Sequence, residues 1–269
     1  MINKNYRILL LFTFLVLITS YFFLDPYTQD INKVLVQPSF SNGFSYMLGT
    51  DYIGRSYLSR LILGGINTIG LALIIVLISS ILGFILGCYA AIKKGGVESL
   101  IMRFSDILMS IPGILLAIVI VAIFGSGVTE LVIALIIVLI PRFIRFSHSI
   151  TSRINAELYI TIAMVSGSNK IQILKNEIFP NSKNLLMQQC ILSFSEVILE
   201  ISALGFLGLG IPAPLPEWGA MLAESRNYFS TNPYLIILPG LCLMLVVLLL
   251  NYIGENITIN KREKYVIKN

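Results

Sequence analysis

The chain has 269 residues, of which 56% are hydrophobic and 12% are charged, whereas soluble domains carry roughly 25% charged residues. This composition excludes an ordinary soluble protein and favours membrane-spanning helices, because backbone groups in lipid must be hydrogen-bonded within the segment. The net charge of +5 is attributed to membrane topology and anionic lipid, not to nucleic acid. Cys88, Cys190 and Cys242 lie in apolar runs without paired spacing, which argues against a disulfide framework or a zinc site.

Six apolar runs are long enough to cross a bilayer, so the predicted class is an all-α polytopic membrane protein. They cover residues 8–24, 66–92, 107–124, 128–146, 184–208 and 234–254. The first run follows Lys4 and Arg7, as in a signal peptide, but no small-residue cleavage pattern follows it. We therefore interpret it as a retained first span.

An even number of spans places both chain ends on the same side of the membrane. Cytoplasmic loops are enriched in lysine and arginine, and a cytoplasmic N-terminus puts 15 of the 19 such residues in inner segments. The four in outer segments are Lys33, Arg55, Arg60 and Arg226. We therefore predict that both termini are cytoplasmic, with the longest inner connection at about residues 146–183.

The stretch "GTDYIGRS" lies in the predicted outer loop before the second span and contains Asp51, Gly54 and Arg55. One interpretation is a polar turn in which Gly54 permits the bend. The other is a loop that closes the outer mouth of a pore or contacts an external protein. The sequence leaves both open.

Two ionisable residues near the inner ends of the middle spans receive structural interpretations. Asp106 stands three residues after Arg103, so a local ion pair or helix-end role is favoured over gating. His148 is the only histidine, and a solvated or packed side chain is favoured over a metal ligand.

The inner connection contains the polar stretch "AELYITIAMVSGSNKIQILKNEIFPN", residues 156–181. Apolar residues recur at helical spacing at Ile154, Leu158, Ile162 and Val165, and again at Ile171, Leu174 and Ile178. Gly167 suits a helix end because glycine accepts left-handed dihedrals, and Pro180 is interpreted as the stop signal of the second helix. The predicted shape is helix, corner, helix, which fits an interfacial helix pair or a docking element.

The fifth span carries Glu196 and Glu200, which lie on one helix face because they are four residues apart. Carboxylates at membrane depth are costly and usually face a cavity or a partner. One interpretation is that they line a pore and contact a cationic part of a cargo. The other is that they make structural hydrogen bonds or ion pairs. Beyond them, "PAPLPEWGAML" predicts an outer re-entrant loop or short interfacial helix around Trp218, with an outer-gate role as the alternative.

Four segments, in order across residues 46–254, resemble one family: the membrane permease subunits of bacterial ABC importers for peptides and nickel. The segment "LGTDYIGRSYLSRLILGGINTIGLAL" resembles the family's LGTDxxGRD stretch, with Ser56 in place of its final aspartate. The segments "MRFSDILMSIPGILLAIV" and "LEISALGFLGLGIPAPLPEWGAMLAESR" resemble its third-span and "SFLGLG…P…WG.ML" regions. In the loop, "TIAMVSG" and "EIFPN" match its Glu-Ala-Ala-x-x-x-Gly and "hILPN" patterns, except that Thr161 replaces the glutamate.

The resemblance implies a non-enzymatic transport subunit in the bacterial inner membrane, with six spans and a coupling-helix loop at about residues 150–183. Residues 1–60 would form the first span and external loop, and 61–269 the importer transmembrane domain. The implied partners are a second homologous permease subunit, two cytoplasmic ATPase subunits, an extracytoplasmic solute-binding protein and membrane lipid. The residues implied in coupling are Thr161, Ala163, Gly167, Ser168, Asn169, Lys170, Pro180 and Asn181.

The chain contains no G-x-x-x-x-G-K-[ST] phosphate loop, so ATP and magnesium are expected in the partner ATPases and no cofactor on this chain. Peptides are the first expected cargo, and nickel or a metal chelate the second, since one histidine and three cysteines make no convincing metal site. A stand-alone secondary carrier is less favoured because the two halves show no internal repeat.

Overall fold

The computed structural model describes residues 25–266, and it describes the side chains of residues 25–41 and 43–256. All regular elements in this part of the chain are helical. Two isolated β-bridges, Gln29–Arg55 and Thr50–Ser56, pair the segment that precedes the first long helix. The predicted first span, 8–24, lies outside the described residues.

Within this range the α-helices are α1 (Tyr57–Lys93), α2 (Gly96–Met109), α3 (Gly113–Phe124), α4 (Val128–Asn155), α5 (Leu158–Val165), α6 (Lys170–Ile173), α7 (Phe179–Phe206), α8 (Trp218–Ser225) and α9 (Tyr234–Val266). A π-helical turn, Leu174–Ile178, joins α6 to α7. Short 3₁₀ helices occupy Ile31–Lys33, Phe40–Asn42, Phe44–Tyr46 and Arg226–Tyr228.

Three helices in the described part of the chain are long and apolar enough to cross a membrane: Tyr57–Lys93, Lys170–Phe206 and Tyr234–Asn256. The pair α2 and α3 makes a fourth if the two helices count as one span. The predicted span 128–146 falls inside α4. The chain is therefore a helical protein with several candidate membrane spans.

The predicted third span, 107–124, is not one continuous helix. α2 ends at Met109, α3 begins at Gly113, and the two helices meet at 88°. The residue before a proline is driven away from helical dihedrals by the proline ring. Ile111 precedes Pro112, so the helix is interrupted there although the run is apolar throughout.

Pro180 does not stop the second helix of the polar stretch, and this prediction is wrong. It lies in the first turn of α7, within a helical segment that runs continuously from Lys170 to Phe206. Proline in an α-helix lacks a hydrogen-bond donor and clashes with the carbonyl four residues earlier. A wider π turn, Leu174–Ile178, lies just before α7, and such turns mark irregularities in a helix.

The chain divides into two compact units. The first comprises residues up to Leu73, Val121–Leu131 and Ser195–Leu250. In it, Tyr57 donates a hydrogen bond from its hydroxyl to the Leu235 carbonyl. Its ring also meets that of Tyr234 edge-on, with centroids 6.2 Å apart.

The second unit comprises Ile74–Ile120, Val132–Phe194 and the residues from Asn251 onwards. Here α1 and α4 approach closely because glycines face α4. A Cβ atom on Gly83 would lie 2.3 Å from the Cβ of Phe143, and one on Gly87 would lie 2.4 Å from the Ile144 carbonyl oxygen. Small residues allow such close helix approach in membranes.

Candidate functional site

The corner in the polar stretch is built by two helix caps. α5 ends at Val165, and Gly167 follows with φ of 91°. The Gly167 amide donates to Met164 and the Ser168 amide to Ala163, which is the Schellman pattern that closes a helix end. Asn169 then starts α6 with a capping box, exchanging hydrogen bonds with Gln172. We call residues 156–181 the corner loop.

The apolar stripe predicted on the first helix of the corner loop faces outward, whereas Leu174 and Ile178 of the second predicted stripe are half-buried and buried. Leu158 is 74% exposed, Val165 is 84% exposed, and Ile162 is also exposed. Monomeric proteins rarely expose contiguous apolar surface, and patches rimmed by polar residues usually mark interaction sites. The surface formed by Leu158, Ile162, Val165 and Ile171, which we call the apolar corner face, therefore has the character of a contact surface.

The corner loop is anchored by buried apolar residues, which include Ile154 and Ile178 of the predicted stripes. Ile160, Ile173 and Ile178 are buried in one hydrophobic cluster with the buried residues Cys88, Ile150 and Ile154. The cluster joins α5 and the α6–α7 segment to the ends of α1 and α4. The backbone of the corner is thus supported from behind, while its predicted coupling residues remain accessible: Thr161, Gly167, Asn169, Lys170, Pro180 and Asn181 are exposed, and Ala163 and Ser168 are half-buried.

In the other unit, a second cluster contains Asp51, Arg55, Arg60 and Glu224, and we call it the four-charge cluster. Asp51 accepts from Arg55 Nε at 2.6 Å, and Glu224 accepts from Arg60 Nη2 at 2.9 Å. Weaker pairs cross between them, Arg60 to Asp51 at 3.5 Å and Arg55 to Glu224 at 3.4 Å. The Arg60 side chain is 1% exposed. Buried charges of this kind require paired partners.

The loop that carries Asp51 is also fixed by backbone packing. Gly54 has φ of 81°, and a Cβ atom there would lie 2.0 Å from the Asp30 carbonyl oxygen. The Tyr52 ring stacks on Tyr228 with centroids 5.9 Å apart, and Arg55 lies over the Tyr52 ring. Gly54 makes the turn, and Arg55 ties the loop to Glu224 of α8; the role in closing an outer mouth or contacting an external protein stays a prediction.

Trp218 starts α8, and it is buried rather than presented at a surface. Its indole N–H donates to the Leu61 carbonyl at 2.8 Å, and its ring occupies the space that a side chain on Gly65 would need. The preceding residue, Glu217, caps α8 by accepting from the amides of Gly219 and Ala220. Trp218 therefore holds α8 against α1.

The Glu217 carboxylate is fully buried and joins three helices. In addition to the two hydrogen bonds from backbone amides, it accepts a hydrogen bond from Ser202 Oγ of α7 at 3.1 Å. It also lies 3.3 Å from Thr68 Oγ1 of α1. Burial raises the pKa of the Glu217 carboxyl, and the hydrogen bonds from Gly219 and Ala220 oppose that change.

The other ionisable candidates lie apart from these clusters. Glu196 is exposed and Glu200 is half-buried on α7, and each has interaction partners. Asp106 forms an ion pair, but with Arg145 of α4 instead of Arg103. His148 Nε2 lies 2.7 Å from Glu98 of α2. In the described side chains, no group of three histidine, cysteine or acidic residues is arranged to hold a metal.

Sequence reasoning missed Arg60, Glu217 and Glu224. The sequence identifies Arg60 only as one of four outer cations and gives no pattern that distinguishes the two glutamates. Arg60 and Glu224 are 164 residues apart, and Glu217 and Thr68 are 149 residues apart, so spacing could not link them. The available signal was physical: Arg60 stands four residues into α1, where a charge needs a counter-ion.

Comparisons with known proteins agree on one family. The protein-family model described as binding-protein-dependent transport system inner membrane component matches residues 79–258. The di/tripeptide transport system permease protein DppC of Pseudomonas aeruginosa is 39% identical over 236 residues, covering 87% of this chain and 78% of the relative. The peptide transport system permease protein SapC of Escherichia coli is 37% identical, covering 85% and 78%.

Two further comparisons extend this result. The glutathione transport system permease protein GsiD of Pectobacterium atrosepticum is 36% identical over 213 residues, covering 79% of this chain and 71% of the relative. An inward-facing structure of the MetNI methionine ABC transporter matches with a TM-score of 0.53 at 17% identity, covering 74% of this chain and 94% of that one. The second match concerns the fold alone.

Proposed function

This chain belongs to the family of binding-protein-dependent transport system inner membrane components, and we therefore propose that it is a permease subunit of an ATP-binding-cassette importer. It would form half of a translocation pore with a second, homologous permease subunit. Six spans would place both termini in the cytoplasm, as the distribution of lysine and arginine favours. An extracytoplasmic binding protein would deliver the solute.

We propose peptides as the cargo. The relatives most informative on this point are named for di/tripeptide, peptide and glutathione transport, and glutathione is itself a tripeptide derivative. Glu196 and Glu200 are the candidates for contact with a cationic group such as a peptide amino terminus. The binding protein would select the solute, so its ligand is the most informative measurement.

The apolar corner face is the observation that supports coupling to an ATPase. A solvated loop gains nothing from exposing Leu158, Ile162, Val165 and Ile171, whereas a docking helix buries them against its partner. The Schellman cap at Gly167 and the capping box at Asn169 give the corner a defined shape. Such a corner can transmit a displacement when the ATPase changes conformation.

ATP and magnesium would bind to the two partner ATPases, and this chain would respond to their closure. A nucleotide shifts the pore only if the ATPase contacts the corner loop differently in its two states. Thr161 stands where the family keeps a glutamate, so its contact with the ATPase would differ from that of relatives. Arg60, Glu217 and Glu224 would hold the outer helix α8 in place on α1.

Val165→Glu tests the docking role in the assembled importer. The substitution places a charge on the apolar corner face, so we expect loss of ATPase co-purification and of ATP-driven peptide uptake in proteoliposomes. Ile31→Glu is the matched control, because Ile31 and Val165 are both 84% exposed and Ile31 lies in the other unit. The docking role is wrong if both variants assemble and transport alike.

The cargo is tested separately by mass spectrometry of the solutes retained by the purified binding protein. Retained peptides, and competition for uptake by added di- and tripeptides, are expected. A nickel ion or metal chelate in place of peptides would overturn the proposed cargo while leaving the transport role intact.

A further inference from the structure

We propose that α2 is an in-plane amphipathic helix that docks on the anionic lipid surface of the inner leaflet. The proposal goes beyond the transport role, because it concerns how this chain contacts the bilayer itself. It commits to lipid as the partner of one helix face. Three observations carry it: the direction of α2, the pattern of its exposed side chains, and the charges around it.

The direction of α2 follows from the break at Ser110–Pro112. α2 meets α3 at 88°, so if α3 runs across the membrane, α2 runs along it. α3 has 12 residues and is about 18 Å long, which is shorter than the roughly 30 Å hydrocarbon core. α2 cannot complete that crossing, because it turns away at a right angle.

The depth of α2 follows from its two ion pairs with α4. Arg145 contacts Asp106 and His148 contacts Glu98. Measured along α4 from Val128, Arg145 is about 26 Å away and His148 about 30 Å away at 1.5 Å per residue. If α4 crosses the membrane from its start at Val128, both pairs lie about one hydrocarbon thickness along it. This places α2 at the membrane boundary, on the side where α4 leads into the corner loop.

The exposed side chains of α2 form one apolar stripe. Val97, Leu100, Phe104 and Ile107 follow helical spacing, and Leu100 is 72% exposed, Ile107 63% and Phe104 61%. The face that carries Glu98 and Asp106 is the one bonded to α4. α2 thus has a polar side held by the protein and an apolar side that is largely exposed in the described chain, as expected for an interfacial helix.

The charges around α2 favour anionic lipid. Of its two acidic residues, Asp106 is paired with Arg145 and Glu98 contacts His148. Lys93, Lys94 and Arg103 are exposed and form no ion pair with a described residue. Basic residues at the cytoplasmic surface attract anionic headgroups, and long basic side chains can reach those headgroups while their stems cover apolar surface.

Spin labelling of the full chain in lipid nanodiscs, alone and with its co-purifying subunits, tests the orientation. Single cysteines replace Leu100, Phe104 and Ile107 after the native cysteines are changed to serine. We expect all three labels to be accessible to oxygen and shielded from a water-soluble nickel complex. Their depths in the bilayer should agree to within about 3 Å. A transmembrane helix would instead separate residues 100 and 107 by about 10 Å, which would overturn the proposal.

Ser99→Cys is the matched control on the same helix. It is exposed but outside the apolar stripe, so its label should be reached by the nickel complex. If the three stripe labels are shielded from both oxygen and nickel, a protein segment covers the face. That result would overturn the lipid assignment in favour of a protein contact.

A second measurement keeps the native cysteines. Tryptophan fluorescence of the Phe104→Trp variant and of the parent chain is measured in nanodiscs with brominated lipids. The single tryptophan of the parent chain, Trp218, is buried. We expect quenching of the added tryptophan, roughly twofold or more stronger with brominated phosphatidylglycerol than with brominated phosphatidylcholine. Replacing Lys93, Lys94 and Arg103 by glutamine should remove that preference. The proposal is contradicted if Phe104→Trp with its native Lys93, Lys94 and Arg103 shows no quenching, or shows equal quenching by both lipids.

Discussion

Replacing Asp51 by asparagine removes one negative charge from the four-charge cluster while keeping the size of the side chain. Two buried guanidinium groups, those of Arg55 and Arg60, would then face Glu224 alone. Removing one partner of a buried ion pair costs about 3–5 kcal/mol, because the remaining charge is left uncompensated. Asparagine can still accept the amide hydrogen bonds that Asp51 accepts from Ile53 and Arg55, so we expect a loss of about 3 kcal/mol.

The assay is the thermal unfolding midpoint of the purified subunit or complex in nanodiscs. A loss of about 3 kcal/mol corresponds to a decrease of about 6–12 °C for a unit of 150–250 residues. Asp30→Asn is the matched control, since Asp30 pairs with Lys33 at 3.3 Å near the surface, where the Lys33 side chain is 50% exposed and the Asp30 side chain 31%. Exposed pairs contribute about 0–1 kcal/mol, so the control should shift the midpoint by at most about 4 °C.

The reasoning is refuted if Asp51→Asn and Asp30→Asn lower the midpoint by the same amount. It also requires that the cost arises from unbalanced charge and not from a lost hydrogen bond. The double variant Asp51→Asn with Arg55→Gln restores neutrality, so it should be more stable than Asp51→Asn alone. A double variant less stable than the single one would point to hydrogen bonding instead.

Two glycine substitutions test the packing of α1 and the corner. Gly83→Ala should lower stability by about 1–3 kcal/mol through overpacking against Phe143. Gly70→Ala, with nothing within 4 Å of its Cβ, should raise helix stability by up to about 1 kcal/mol. Shifts of the unfolding midpoint in the same direction for the two variants would contradict this. Gly167→Ala adds a Cβ at φ of 91° with no steric contact, so only backbone strain of about 1–2 kcal/mol should reduce transport. Gly96→Ala is its control in an uptake assay, and equal uptake by the two variants would show that the corner tolerates the strain.

The sequence predicts the long helices well where a single physical signal dominates. Apolar runs locate the cores of α1, α7 and α9, and glycine explains the helix end at Gly167. α1 nevertheless begins at Tyr57, well before the predicted start at residue 66. The reason is Arg60, whose charge looks incompatible with a span until its buried partners Asp51 and Glu224 are known.

Other features depend on three-dimensional neighbours and could not be predicted from periodicity. The stripe of Leu158, Ile162 and Val165 has helical spacing, but the residue that packs inward is Ile160. Periodicity identifies an apolar face without saying whether the protein or a partner covers it. The prediction for Pro180 is wrong for a related reason, because the π turn that precedes α7 is not encoded by any simple spacing.

The crossing of α1 and α4 at Gly83 and Gly87 has a mechanical consequence. Contacts made by long side chains can absorb a small displacement by changing rotamers, whereas contacts made by backbone atoms have no such slack. α4 leads directly into the corner loop beyond Asn155. A displacement imposed on the loop would therefore reach α1 through a stiff joint, with little of the movement lost on the way.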